Sequence, residues 1–379
     1  MRRIHVAKLS ELVGIHMAEL ISRGELGGAE VIVNQDGETL FRRAYGTNGL
    51  HGGKLEPGML YRIASMTKPI TSVALLQQVD NGNVNLLAPV SEYLPGFTHM
   101  TVGHEENGRV VVDRAAVGVI RVFNLLSHTS GIGSAPLSLI QPFPRESVAA
   151  TATYYSKAPL CFDPYTAESY SATAAFDVAA RIVEVVSGEE FGAYLKRRVF
   201  DPLQMRDTGF DPSPEQWART VAMHNVTDKG EVFDLEMTPG CVFEGIPPKA
   251  CCAGGGLLSS AEDYSRFAEM LLDHGVSKTG ARVLSDEMVV RMQTPHVPES
   301  MRNLDDDRWG LGVRVCTRIS KKQPLPLGAF GWSGAYGTHF WVDPVNRITA
   351  VYMKNSYYDG GCFSQSGSLF ERDVMDSLE

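Results

Sequence analysis

Ile63-Ala64-Ser65-Met66-Thr67-Lys68-Pro69-Ile70 opens a largely apolar segment that runs to Val79. A lysine three residues after a serine lies on the same helical face, one turn away. A serine hydroxyl is a poor nucleophile until a base takes its proton. A lysine amine can be that base when burial or nearby charge disfavours its ammonium form. The spacing therefore places a nucleophile, Ser65, and a candidate base, Lys68, at the start of a helix that ends near Gly82. On this stretch alone, a helix start carrying an exposed lysine is the commoner reading.

Size and composition narrow the field. The chain has 379 residues, 44% hydrophobic and 21% charged, the balance of a globular protein with a large core. Its net charge of −9 gives no electrostatic footprint for nucleic acid. No apolar run approaches the roughly 18 residues of a membrane span. Met1-Arg2-Arg3 leads into no signal-like block but into Leu9, Leu12, Val13, Met17 and Leu20, an amphipathic helix stopped by Gly24. The expectation is a cytoplasmic protein. Its six cysteines (Cys161, Cys241, Cys251, Cys252, Cys316, Cys362) form no metal-ligand spacing and are expected to be reduced thiols. No metal, cofactor, nucleic-acid partner or membrane is called for, and oligomeric state is not readable.

Strand signals sit at both ends of the chain. Ala29–Val33 and Thr39–Phe41 flank Asp36-Gly37, a β-hairpin pattern. Trp309–Val315, Gly328–Trp332, Thr338–Asp343 and Arg347–Met353 have β-type content, with a turn at Asp343–Asn346. Between the ends the pattern is helical, with long loops: Thr173–Ser187, Glu189–Phe200, a helix capped by Ser260 that runs to Asp273 before Gly275, and Asp286–Met292. Ser368–Leu378 closes the chain as a helix. The fold class is α/β (α+β): an antiparallel sheet flanked by helices, built from both termini, with an inserted mainly helical domain. Residues 1–68 and 295–379 form the α/β part and 69–294 the helical part, with the active site at their interface.

Ser-x-x-Lys chemistry needs a second proton-handling group and an oxyanion hole. Tyr170, in the polar loop Glu168-Ser169-Tyr170-Ser171-Ala172, is the candidate for the first, because a phenol beside an ammonium can relay a proton. The second is expected from the backbone N–H groups of Ser65 and Ala335. Ala335 lies in Phe330-Gly331-Trp332-Ser333-Gly334-Ala335-Tyr336-Gly337-Thr338, whose small residues permit close backbone approach. Each segment alone also reads blandly, as one of 13 tyrosines and as an ordinary Gly-rich hairpin.

Together these residues resemble the serine β-lactamase and penicillin-recognising superfamily, and within it the class C β-lactamase-like branch and its family VIII carboxylesterases. Leu125-Leu126-Ser127-His128-Thr129-Ser130-Gly131, Asp201-Pro202-Leu203-Gln204-Met205-Arg206-Asp207-Thr208 and Gly254-Gly255-Gly256-Leu257-Leu258-Ser259-Ser260, followed by Asp263, Arg266 and Phe267, match that branch's segments in order along nearly the whole chain. The resemblance implies that Ser65 is acylated, that Lys68 and Tyr170 form the base pair, and that His128 is structural. Two departures bear on substrate. The branch's Tyr-x-Asn has Ala172 at its third position. Its Lys-Thr-Gly strand motif reads Trp332-Ser333-Gly334, which lines the expected substrate pocket with an indole in place of a cation. Both changes favour short-chain or aryl esters over anionic β-lactams.

Two patterns are set aside. Lys278-Thr279-Gly280 has no strand around it and reads as a solvated loop. Gly331-Trp332-Ser333-Gly334-Ala335 half-resembles a nucleophile elbow, but strand rather than helix follows Ser333. The expected activity is ester hydrolysis through a Ser65 acyl-enzyme. Alternatives are β-lactamase or D-alanyl carboxypeptidase action, acyl transfer to an acceptor other than water, and an inert binding module on this fold. Loops Pro136–Tyr155 and Asp234–Pro248 are the expected pocket walls.

Overall fold

The computed structural model describes every residue except 50–51, 135–145, 227–230, 236–241, 243–246, 302–306, 320–323 and 358–363. Its frame is a seven-stranded antiparallel sheet in the order Glu38–Gly46, Gly28–Gln35, Ile348–Met353, His339–Asp343, Phe330–Ser333, Arg314–Cys316, Asp307–Trp309. The first hairpin closes through Asp36 and Gly37, both left-handed (φ 52° and 78°), the backbone of a two-residue type I′ turn. Asp343 closes another by accepting the N–H groups of Val345 and Asn346 at 2.8 and 3.0 Å.

Strand alternation sorts the core into two layers. Val31, Val33, Trp341, Ala350 and Tyr352 face the terminal helices Val6–Ser22 and Gln365–Asp376, meeting Leu9, Val13, Met17, Phe370 and Val374. Ile32, Phe340, Val342, Val351 and Met353 face the other way, into the core shared with the helices Ala261–Leu272 and Thr67–Asp80. Phe340 packs edge-on against Tyr264, ring centroids 4.8 Å apart. Each such buried side chain is worth roughly 1.5–3 kcal/mol. Ser260 caps Ala261–Leu272 by accepting the Asp263 N–H at 3.1 Å. Asp263 itself turns away to the Asp207 N–H and the Thr208 hydroxyl, tying residues 207–208 to that helix.

The middle of the chain holds strands that its reading as helices and long loops does not include. Thr101–Glu106 pairs with Arg109–Ala115, and His224–Val226 with Val232–Asp234. Leu60–Arg62, just before the serine, pairs with Leu258–Ser260. The stretch expected as one strand over Trp309–Val315 is the end of one strand and the start of the next, broken at Gly310 and at Gly312 (φ 79°). The expected helix Glu189–Phe200 is α-helical over Phe191–Leu195 and π-helical over Lys196–Phe200. Among the described residues no helix is long and apolar enough to cross a membrane.

Candidate active site

Ser65 sits in a 3-10 turn, Ala64–Met66, that runs directly into the helix Thr67–Asp80. Thr67 to Gln78 are all buried, so this is a helix through the core rather than along the surface. Ala64 takes φ 43°, a left-handed conformation that costs a non-glycine residue about 1–3 kcal/mol and must be held by its surroundings. Those surroundings are visible. Ile63 O accepts the Met66 N–H at 3.0 Å and the Thr338 hydroxyl at 3.1 Å. Gly334 presses on the same carbonyl, and a Cβ there would stand 2.3 Å from Ile63 O. The turn after the strand Phe330–Ser333 is thus clamped to the residues just before the serine.

Lys68 and Tyr170 converge on Ser65. Lys68 Nζ lies 3.0 Å from Ser65 Oγ, and the Tyr170 hydroxyl donates to the same oxygen at 2.7 Å. Lys68 is fully buried. Its amine also donates to the carbonyls of Ala172 and Gly254 (2.7 Å for the latter) and lies over the rings of Tyr170 and Phe176. Three acceptors thus match the three protons of an ammonium. In the neutral amine, two protons on the carbonyls leave the lone pair directed at Ser65. Trp332 completes the set, its indole N–H donating to the Tyr170 oxygen at 3.2 Å.

The model of the family described as Beta-lactamase matches residues 12–364. The chain belongs to the beta-lactamase family. Protein Rv1367c of Mycobacterium tuberculosis (strain ATCC 25618 / H37Rv) is 33% identical over 359 residues, covering 88% of this chain and 87% of its own. Esterase EstB of Burkholderia gladioli is 27% identical over 393 residues, covering 94% and 93%. Among solved structures, that described as "EstCE1, a hydrolase with promiscuous acyltransferase activity" superposes with a TM-score of 0.79 at 20% identity, covering 98% of both chains, a likeness of fold. This member of the beta-lactamase family is a serine hydrolase.

The remaining residues read from the sequence fall in different places. Ala335 is exposed at the second position of the turn Gly334–Gly337, closed by the Gly337 N–H on Gly334 O at 3.0 Å, and its own N–H meets no acceptor among the described residues. Ser333, expected beside Trp332 in the pocket, points to the opposite face, as alternate strand residues must. Its hydroxyl meets His339 Nδ1 at 2.6 Å, and His339 Nε2 meets Glu371 at 2.7 Å. This Ser-His-Glu series is 1–4% exposed and fastens the C-terminal helix to the sheet. Gly334, also expected in the pocket, lies against Ile63. Lys278 pairs with Glu269 at 3.0 Å in a loop. Of the loops expected as pocket walls, residues 136–145, 236–241 and 243–246 lie outside the described residues, and the end of the first is not loop but the helix Val148–Tyr155, capped by Ser147.

Residues without a motif support the centre. His128 takes φ 58° and accepts the Ser171 N–H on Nδ1 at 3.0 Å. Burial and the nearby Lys68 charge push its imidazole well below its usual range, so it is neutral with the proton on Nε2. Its ring stands 4.6 Å from that of Tyr170 and 4.2 Å from that of Trp309, which in turn lies 4.4 Å from Trp332. The carbonyls of Ala172 and Gly254 and the carboxylate of Asp177 were not singled out from the sequence. Backbone acceptors have no side-chain signature. Asp177 was visible only as a lone acid in the apolar first turn of Ala174–Ser187, where it also reads as a helix-dipole partner. Among the described residues no group of three or more His, Cys, Asp or Glu is arranged to hold a metal ion.

Proposed function

We propose that the chain hydrolyses carboxylic esters with short-chain or aryl parts through an acyl-enzyme on Ser65. The carrying observation is the convergence of Lys68 Nζ and the Tyr170 hydroxyl on Ser65 Oγ at 3.0 and 2.7 Å. In this reading the Lys68–Tyr170 pair takes the Ser65 proton as the oxygen attacks the ester carbonyl. The N–H groups of Ser65 and Ala335 stabilise the oxyanion, each worth roughly 10²–10³ in rate. The alkoxide leaves with a proton returned through Tyr170, and water then attacks the acyl-enzyme with help from the same pair.

The ester preference rests on Trp332. It stands where a β-lactamase of the class C branch carries a cation for the antibiotic's carboxylate, and it joins Trp309 and Tyr170 in an aromatic wall. Ala172 offers no side-chain amide to a β-lactam. The full-length relationship to an esterase at 27% identity agrees. Side-by-side assays with p-nitrophenyl acetate and a chromogenic cephalosporin test the reading. Ester turnover should exceed β-lactam turnover and vanish in Ser65→Ala. Full ester turnover in Ser65→Ala, or a cephalosporin preference in the native chain, would overturn it.

A further inference from the structure

Lys68 is aimed by carbonyls, and one of them is held by an acid. Asp177 is 3% exposed, and its Oδ1 accepts the Ala253 N–H at 2.7 Å. The Gly254 N–H lies near the same carboxylate and favours its charged form. The carbonyls of these two residues face the serine helix: Ala253 O accepts the Thr71 hydroxyl at 2.7 Å and Gly254 O accepts Lys68 Nζ at 2.7 Å. Gly254 cannot shift toward the Tyr170 loop, since a Cβ there would stand 2.5 Å from Thr173 Cα. One peptide pair thus carries the carboxylate on its donor side and the lysine on its acceptor side.

We propose that Asp177 is a positioning residue for Lys68. Through Ala253 and Gly254 it fixes the carbonyl that, with Ala172, directs the amine at Ser65, and its charge balances the Lys68 ammonium. The inference rests on the Ser65 acyl-enzyme reading for its catalytic consequence but not for the coupling itself. The groups that face Asp177 are Lys68 on the serine helix, Tyr155 on the helix Val148–Tyr155, and the thiols of half-buried Cys251 and buried Cys252. Of these, Lys68 is the cation. Burial pushes the Asp177 carboxyl up to about 7, against the pull of the two N–H groups and Lys68. Its ionisation therefore falls near neutral pH.

Two measurements decide the matter. Asp177→Asn keeps an acceptor for the Ala253 N–H and loses the charge. Its kcat for a p-nitrophenyl ester should fall about tenfold or more with KM little changed, a part of the roughly 10²–10⁴ that a well-placed base contributes. The kcat inflection near pH 7 should disappear with it. A merely structural aspartate would lower the melting temperature and leave kcat and the pH profile as they were. The second readout needs no activity. The ¹³C carboxyl resonance of Asp177 should titrate near pH 7 in the native chain and at higher pH in Lys68→Met, because the ammonium favours the carboxylate. A folded Asp177→Asn with native kcat and pH profile, or an Asp177 titration that Lys68→Met does not move, overturns the inference. A chain without ester turnover would refute the acyl-enzyme reading and leave the carboxyl titration to decide this one.

Discussion

Trp332→Phe isolates one hydrogen bond of the site. The substitution deletes the indole N–H that donates to the Tyr170 oxygen at 3.2 Å. It keeps an aromatic ring beside Trp309 and Tyr170, whose centroids lie 4.4 and 5.5 Å from that of Trp332. A hydrogen bond to a neutral oxygen contributes about 0.5–1.5 kcal/mol net, and one to a charged oxygen about 1.5–3 kcal/mol. If Tyr170 carries negative charge as it takes the serine proton, the bond strengthens in the transition state and its loss appears in kcat. Because the bond is already present in the ground state, only its strengthening reaches kcat: about 1–1.5 kcal/mol, at about 1.4 kcal/mol per decade, corresponds to a fall of about 5–10-fold, whereas a neutral phenol throughout would leave kcat unchanged. Steady-state kinetics with p-nitrophenyl butyrate at pH 8 measure it, with circular dichroism and the melting temperature as controls for the smaller ring. A drop of about five- to tenfold at constant KM is the expected result. A folded variant within twofold of native kcat would refute the role given to the indole N–H.

Gly334→Ala would place a methyl group 2.3 Å from Ile63 O, so the turn must lift from the serine. Its kcat should fall by roughly 10²-fold, the scale of losing one oxyanion donor, as read by the same ester assay. Trp332→Lys restores a cation at the strand position. The ratio of chromogenic cephalosporin to p-nitrophenyl ester kcat/KM should rise by up to about fivefold, the worth of a modest new charge interaction; an unchanged ratio would count against Trp332 as the specificity element. Glu30 lies fully buried against Arg42 and Tyr61, and burial raises its carboxyl to about 7. Because the folded value lies above the ordinary one, the stability this group contributes is complete below about pH 4.5 and is lost as pH rises through about 7. Glu30→Gln, which mimics the protonated acid, should be more stable than the native chain by about 3 kcal/mol at pH 8 and equal to it at pH 4, as urea midpoints report.

How much of this was written in the residues varies by region. The terminal strands announce themselves because Val31 and Val33 go to one core and Ile32 to the other, with Asp36-Gly37 between paired runs. The hairpin Thr101–Ala115 does not. It is mostly exposed and charged (His104, Glu105, Glu106, Arg109, Asp113, Arg114), so no buried face imposes an alternation. The strands at 224–226 and 232–234 are three residues each, too short for a pattern. Ser65, Lys68 and Tyr170 could be named because chemistry selects their side chains. What positions them is backbone: two carbonyls on Lys68, a left-handed Ala64, and a glycine that lets a turn touch Ile63. Side-chain patterns do not record such contacts. Ser333 shows the converse. Its neighbours in sequence resemble a nucleophile elbow, yet strand pleating alone turns it into a buried network with His339 and Glu371.

The central claim is that the Ser65 oxygen is the one that becomes acylated. Mixing the chain with p-nitrophenyl acetate, quenching in acid within the first turnovers and mapping the modified peptide by mass spectrometry tests it most directly. The account predicts a single acetyl adduct on Ser65 that decays with the turnover rate and is absent from Ser65→Ala. An adduct on Ser333 or another residue, or ester turnover with Ser65 never modified, would contradict it.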